Sequence, residues 1–252
     1  MRLLTLARDL KRRKARERQQ LFVCEGLRAV EELLRSPLQV RGVLIAPHIY
    51  EVPQGPELVQ TLRVRNVELA EVTPSELAGA ADTESPQGVL AIAVVPTRTL
   101  NAVPNDGHLR LLVLDGVQDP GNVGTMLRTA AALAVDATVA MPGTVDLWNA
   151  KVVRSAMGAH FHYPTISSTW GELDAFLGAG GVSLWAADAR GDAVDHDMTP
   201  RRLALVVGNE GSGVSDAARA RAERLVAIPI ASSVDSLNVA VATGILLHEL
   251  RR

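Results

Sequence analysis

The stretch Gly208-Asn209-Glu210-Gly211-Ser212-Gly213, then Ile228-Pro229-Ile230, then Ser236-Leu237-Asn238 at the head of VAVATGILLHELRR (239–252), decides the fold. The apolar run 203–207 leads into the first loop and reads as a strand. A helix is expected over 215–223, a strand over 225–230 and a terminal helix over 236–251. The same alternation extends upstream. Strands are expected at 111–114, 138–141, 165–166 and 182–187, and helices at 122–134, 148–160 and 170–177. Such βα alternation predicts a mostly parallel sheet covered on both faces. Ligands then belong at the carboxyl ends of the strands, where loops meet helix N-termini.

The first 95 residues are organised less regularly. A basic helix is expected over 3–19, then the apolar run 21–24, and an amphipathic helix with Leu27, Val30, Leu33 and Leu34 on one face. Strands at 40–46, 67–72 and 89–95 and a short helix at 57–63 complete this half. Thr73-Pro74-Ser75-Glu76 is a helix start, with Thr73 as N-cap and Glu76 three residues on. Residues 96–108 carry Pro96, Pro104 and Gly107 without periodicity and read as a linker. The expected division is 1–95, linker 96–108, and 109–252.

Composition narrows the class. At 252 residues, 47% apolar, the chain can bury a sizeable core, and with eight aromatics that core must be aliphatic. No apolar run approaches a bilayer span, no signal peptide is legible, and the single cysteine, Cys24, excludes an internal disulfide. These features favour the cytoplasm. Net charge is −2, but residues 1–18 hold eight Lys or Arg against Asp9 and Glu17, enough to hold phosphates or simply to solvate a helix face.

Three loops are placed for chemistry: residues 115–124, with Arg128 a turn into the following helix; 208–213; and 228–238. Neither of the first two gives G-x-G-x-x-G, so a dinucleotide site is weakly supported. Residues 208–215 fit G-x-x-x-x-G-x-S, but Val214 stands where a phosphate-binding lysine would be. Taken singly, each loop is equally a tight turn. Together, DGVQDPGNVGTMLRTA (115–130), ALVVGNEGSGVS (204–215) and IPIASSVDSLNVAVATGILLHEL (228–250) resemble, in order and spacing, the three motifs of the SpoU, or TrmH-like, RNA 2′-O-ribose methyltransferases. LFVCEGLRAVEELL (21–34) and SPQGVLAIAV (85–94) resemble the substrate-binding domain that many members carry.

The resemblance implies an α/β trefoil-knot domain with a mostly parallel sheet, an exception to the rule that chains avoid knots. It also implies a smaller N-terminal α/β domain similar to ribosomal protein L30e. It implies S-adenosylmethionine as cofactor, at Gly208, Ile228 and Leu237; for the last two, core packing is the competing reading. It implies RNA as partner, ribosomal rather than transfer RNA, and a homodimer with no membrane and no metal. Arg128 matches the family's catalytic arginine. Asn122 would orient Arg128 or the ribose, or cap its helix. Glu210 would pair with Arg128 or steady its loop. Ser236 and Asn238 would bind substrate or order the knot, with helix capping as the alternative. Arg28, Arg12 and Arg13 are candidate RNA contacts, equally readable as surface. His160, His162 and His248 read as structural or exposed. A knotted protein that binds RNA and cofactor without turnover, or one that methylates a base or small molecule, are the competing classes.

Overall fold

A computed structural model of the protein describes residues 2–104 and 107–251. Asn105 and Asp106, inside the expected linker, lie outside the described residues. The chain forms two compact units: one runs to Thr97 and includes Trp148–His162, the other comprises Arg98–Leu147 and the chain from Tyr163 onward.

The first unit begins with α1 (Arg2–Asp9) and α2 (Arg13–Gln19), then β1 (Leu21–Glu25), α3 (Leu27–Arg35), β2 (Val40–Ile45), α4 (Gly55–Val64), β3 (Leu69–Glu71), α5 (Pro74–Ala80) and β4 (Val89–Val94). The expected single helix over 3–19 is two. The buried Arg16 donates to the carbonyls of Leu10 and Lys11 at 2.8 and 2.9 Å, which holds the intervening turn open. The sheet order is β1-β4-β2-β3, with β4 antiparallel to both neighbours and β2 parallel to β3. Leu3, Leu4 and Ala7 of α1 and Leu77 and Ala80 of α5 pack with Val23, Leu44, Leu90 and Ile92. Each leucine buried this way contributes about 1.5–3 kcal/mol. Thr73 caps α5 and Glu76 returns the bond to the Thr73 N–H, as the sequence predicts.

The chain continues through β5 (Leu109–Asp115), α6 (Pro120–Ala132), β6 (Ala137–Ala140), α7 (Ala150–Ala156), β7 (Thr165–Ser167), α8 (Trp170–Gly180), β8 (Ser183–Ala193), β9 (Arg202–Gly208), α9 (Asp216–Arg221), β10 (Arg224–Ala227) and α10 (Val239–Glu249). The six strands lie in the order β10-β8-β9-β5-β6-β7, and every pairing is parallel. Strand residues alternate between faces. Leu109, Leu111 and Val113 pack with Leu173 and Leu177 of α8 and Ala218 of α9. The opposite face carries Arg110, whose buried guanidinium donates to the Leu250 carbonyl at 2.6 Å and thereby ties the end of α10 to the start of β5. Helix α10 also packs on α6, where the Thr243 hydroxyl meets Met126 Sδ at 3.2 Å.

Several boundaries differ from expectation for local reasons. The helix expected over 148–160 ends at Ala156, because Met157 and Gly158 are left-handed (φ 50° and 76°) and a side chain at Gly158 would strike the Phe161 ring. The strand expected over 225–230 stops at Ala227, which leaves Ile228-Pro229-Ile230 in the following loop. The strand expected to end at 187 runs on to Ala193. Trp148–His162 follows β6 in sequence yet packs in the first unit: Phe22 of β1 contacts Trp148 and Phe161, with ring centroids 4.6 and 5.7 Å apart. His160 is fully buried in this cluster, His162 meets Glu32 at 2.6 Å, His248 is exposed and Cys24 is buried. Among the described residues, no helix is long and apolar enough to cross a membrane.

Candidate active site

The three loops meet at the carboxyl ends of β5, β9 and β10. Asp115, buried at the end of β5, accepts from the Ser215 N–H at 2.7 Å. Gly116 (φ 70°) turns the chain, its carbonyl accepts from Asn209 Nδ2 at 3.0 Å, and its N–H donates to the Thr144 hydroxyl at 3.1 Å. The loop after β9 closes on itself, with reciprocal backbone bonds between Asn209 and Gly213 at 3.0 and 2.9 Å. That closure explains Gly208. A Cβ there would lie 2.1 Å from the Gly213 carbonyl carbon, so the returning loop itself excludes a side chain. Asn209 Oδ1 accepts from the N–H groups of Gly211 and Ser212 at 2.9 and 3.1 Å.

Asp119, not Asn122, caps α6: its Oδ1 accepts from the Asn122 N–H at 2.8 Å, and Pro120 occupies the first helical position. Asn122 is thereby freed to bridge the loops. Its Nδ2 donates to Glu210 Oε1 at 3.2 Å, and its Oδ1 accepts from Asn238 Nδ2 at 3.1 Å. Glu210 also accepts from the N–H groups of Gln118 and Asp119 at 3.3 and 3.1 Å. Burial raises its pKa, but the hydrogen bonds from its own backbone, Asn122, Asp119 and Gln118 outweigh burial and hold it below the ordinary 4.5. Through these bonds Glu210 ties the loop after β9 to the loop after β5. Asn238, rather than Asp235 or Ser236, caps α10, with Oδ1 accepting from Ala240 and Val241 at 2.9 and 3.3 Å. It caps and bridges at once. Arg128 lies on α6 with an exposed side chain.

Beside this junction lies a cavity of about 190 Å³. Its wall includes all three expected cofactor residues, Gly208, Ile228 and Leu237, together with Ser236 and Glu210. The partly exposed apolar side chains of Ile228, Ile230 and Leu237 make a surface suited to an adenine ring, backed by the buried Val207, Val226 and Leu246, and the loops offer backbone polar groups at its edge. Sequence reasoning passed over Asp188, also in the wall. The Arg190 guanidinium and then that of Arg219 hold its carboxyl far below the ordinary carboxylate range, at 3.0 and 2.9 Å. An acid at the end of an otherwise apolar strand run was the available signal, as it was for Asp115. Among the described residues, no three His, Cys, Asp or Glu are grouped to hold a metal ion.

The chain matches the SpoU rRNA methylase family over residues 110–248. It belongs to that family. Residues 5–91 match the MRM3-like substrate binding domain. This SpoU methylase is 33% identical over 245 residues to the 23S rRNA (guanosine(2553)-2′-O)-methyltransferase RlmP of Bacillus subtilis, covering 97% of this chain and 94% of the relative. It superimposes on the SpoU methyltransferase AviRb of Streptomyces viridochromogenes, solved with AdoMet, with a TM-score of 0.89 at 27% identity, covering 99% and 96% of the two chains. The AdoMet-bound rRNA methyltransferase of Sinorhizobium meliloti gives 0.86 at 28% identity, covering 99% and 94%. The fold is thus the α/β trefoil knot of SpoU methyltransferases, with the expected N-terminal domain.

The remaining candidates lie in the first unit. Arg12 pairs with Asp9, and Arg13 with Glu17 at 2.7 Å, so part of the basic cluster is neutralised by neighbouring carboxylates. Arg28 is exposed at the start of α3.

Proposed function

We propose that this protein transfers a methyl group from S-adenosylmethionine to a ribose 2′-hydroxyl of ribosomal RNA. The Glu210–Asn122–Asn238 chain of hydrogen bonds carries the reading, because it locks three separate loops together beside one cavity. The names of the 23S rRNA and AdoMet-bound relatives support the substrate and cofactor. Gly208, Ile228 and Leu237 would hold the cofactor, the latter two through their backbones. S-adenosylmethionine supplies an electrophilic methyl group on a positive sulfur that leaves without metal assistance.

A ribose hydroxyl is a weak nucleophile, so the chain must align it and stabilise the alkoxide that develops. Arg128 would do both by holding the neighbouring phosphate and the developing alkoxide, with the proton passing to that phosphate or to a perturbed guanidinium, and positioning and charge are its main role. A guanidinium is itself a poor base. Asn122, steadied by Glu210, would orient the ribose, and Ser236 and Asn238 would close the site. Arg12, Arg13 and Arg28 would contact RNA from residues 1–95, while 109–252 would form the catalytic domain. The same reading includes a cytoplasmic homodimer. Helix α10 is mostly apolar, and Ile230, Val234 and Val241 are exposed beside or on it.

Incubation with methyl-labelled S-adenosylmethionine and total RNA lacking modifications tests the reading. Label on a 2′-oxygen of ribosomal RNA is expected. Label on a base, or cofactor binding without transfer, would overturn it.

A further inference from the structure

A second concave site lies wholly in the first unit, where the turn from β1 into α3, the 83–87 loop and α7 enclose about 420 Å³. That volume is in the range of small-ligand pockets. Its wall holds two arginines, Arg28 from α3 and Arg154 from α7. Arg154 lies within the methylase stretch of the sequence, but α7 packs on β1, which brings its side chain here. Lys151 stands one turn before it, on the same face of α7.

The remaining chemistry favours an anion. Glu25, the carboxylate of the wall, is already committed: it accepts from the Asp82 and Thr83 N–H groups at 2.8 and 3.3 Å and from the Thr83 hydroxyl. Gln87 Oε1 accepts from the Leu27 N–H at 3.1 Å, leaving its amide hydrogens as donors. Arg28 has no ion pair among the described residues, and the N–H groups of Arg28 and Ala29 in the first turn of α3 have no protein acceptor. Arg154 pairs with Asp82 at 2.7 Å, but both side chains remain more than a third exposed. Met157, exposed at the lip, is the apolar element, a polarisable surface for a ring.

We propose that this pocket takes one unpaired nucleotide of the RNA, its phosphate on Arg28 and Arg154 and its base against Met157. A paired base is held in its stack and cannot turn into a pocket of this size, whereas a splayed one can. The proposal rests on the RNA reading above and names where, away from the reacting ribose, the RNA is gripped. Asp82 then competes with the phosphate for Arg154, which gives the proposal opposite signs at neighbouring residues.

The test is anisotropy titration of the full chain with a labelled single-stranded RNA and with a duplex of equal length, at several salt concentrations. Arg28→Gln and Arg154→Gln should each weaken single-strand binding about tenfold and lower the salt slope by about one. Asp82→Asn should tighten binding several-fold. Arg35→Gln, at the other end of α3, should match the parent, and Arg→Lys at 28 or 154 should restore most of the affinity. Cofactor affinity and thermal unfolding should stay at parent values. Duplex bound as tightly as single strand, losses no larger than for Arg35→Gln, or no tightening by Asp82→Asn would overturn the pocket. Methyl transfer by the parent protein is scored separately, so an absence of ribose labelling would sink the enzymatic reading, while these titrations judge the pocket.

Discussion

The Asn122 side chain can reach two other loops because Asp119 takes the capping position at the start of α6. With Asp119 capping α6, both ends of the Asn122 amide are spent on other loops. Arg128, nearly two turns on, is then presented by a helix whose start is fixed. Arg128→Ala should lower kcat about 100-fold or more while leaving the cofactor Kd within about twofold, as single-turnover kinetics and calorimetry would show. Equal loss of cofactor affinity would refute the assignment. Glu210 makes a pH prediction. Its pKa is lowered on folding, so its contribution is complete above 4.5, its ordinary value, and is lost as pH falls through the lower folded value. Thermal unfolding should therefore show this group's share of the stability intact at and above about pH 4.5 and lost only below it, and Glu210→Gln should lower the unfolding temperature at neutral pH by opposing an amide to the Gln118 and Asp119 donors.

Helix starts decide the geometry of the elements around the site. Asn238 both caps α10 and donates to Asn122, and two variants separate these tasks. Asn238→Asp keeps the capping oxygen and loses the donor. It should unfold near the parent temperature yet turn over about tenfold more slowly. Asn238→Ala loses both, with a further stability cost of about 1 kcal/mol, or 2–4 °C in a chain of this length. A parent-like rate for Asn238→Asp in a methylation assay would show that capping is its only task. The existence and order of these elements were legible in the sequence because apolar runs alternate with loop signals. Their starts were not. Several side chains near each start are equally able to cap, and tertiary partners choose among them.

Over the whole molecule, the end of the chain is anchored to its middle. Arg110 is buried and donates to the carbonyls of Leu109, Arg201 and Leu250, which joins β5, the entry to β9 and the end of α10. Arg110→Met should cost about 3 kcal/mol or more, since buried carbonyls lose their donor. Denaturant unfolding should show it as a lower midpoint with an unchanged slope, and a parent-like midpoint would remove Arg110 from this role. The sequence by itself determined the βα alternation and the three loops at the strand ends, since local periodicity and turn chemistry are written in consecutive residues; that Gly208, Ile228 and Leu237 belong together was implied only by the resemblance of those loops to the SpoU motifs. Only the tertiary structure decided that Glu210 is held by Asn122 and two backbone donors. It alone decided that Gly208 is glycine because its own loop returns against it, and that Trp148–His162 packs beneath Phe22. Each of these depends on contacts between residues far apart in the chain, and sequence spacing carries no record of them.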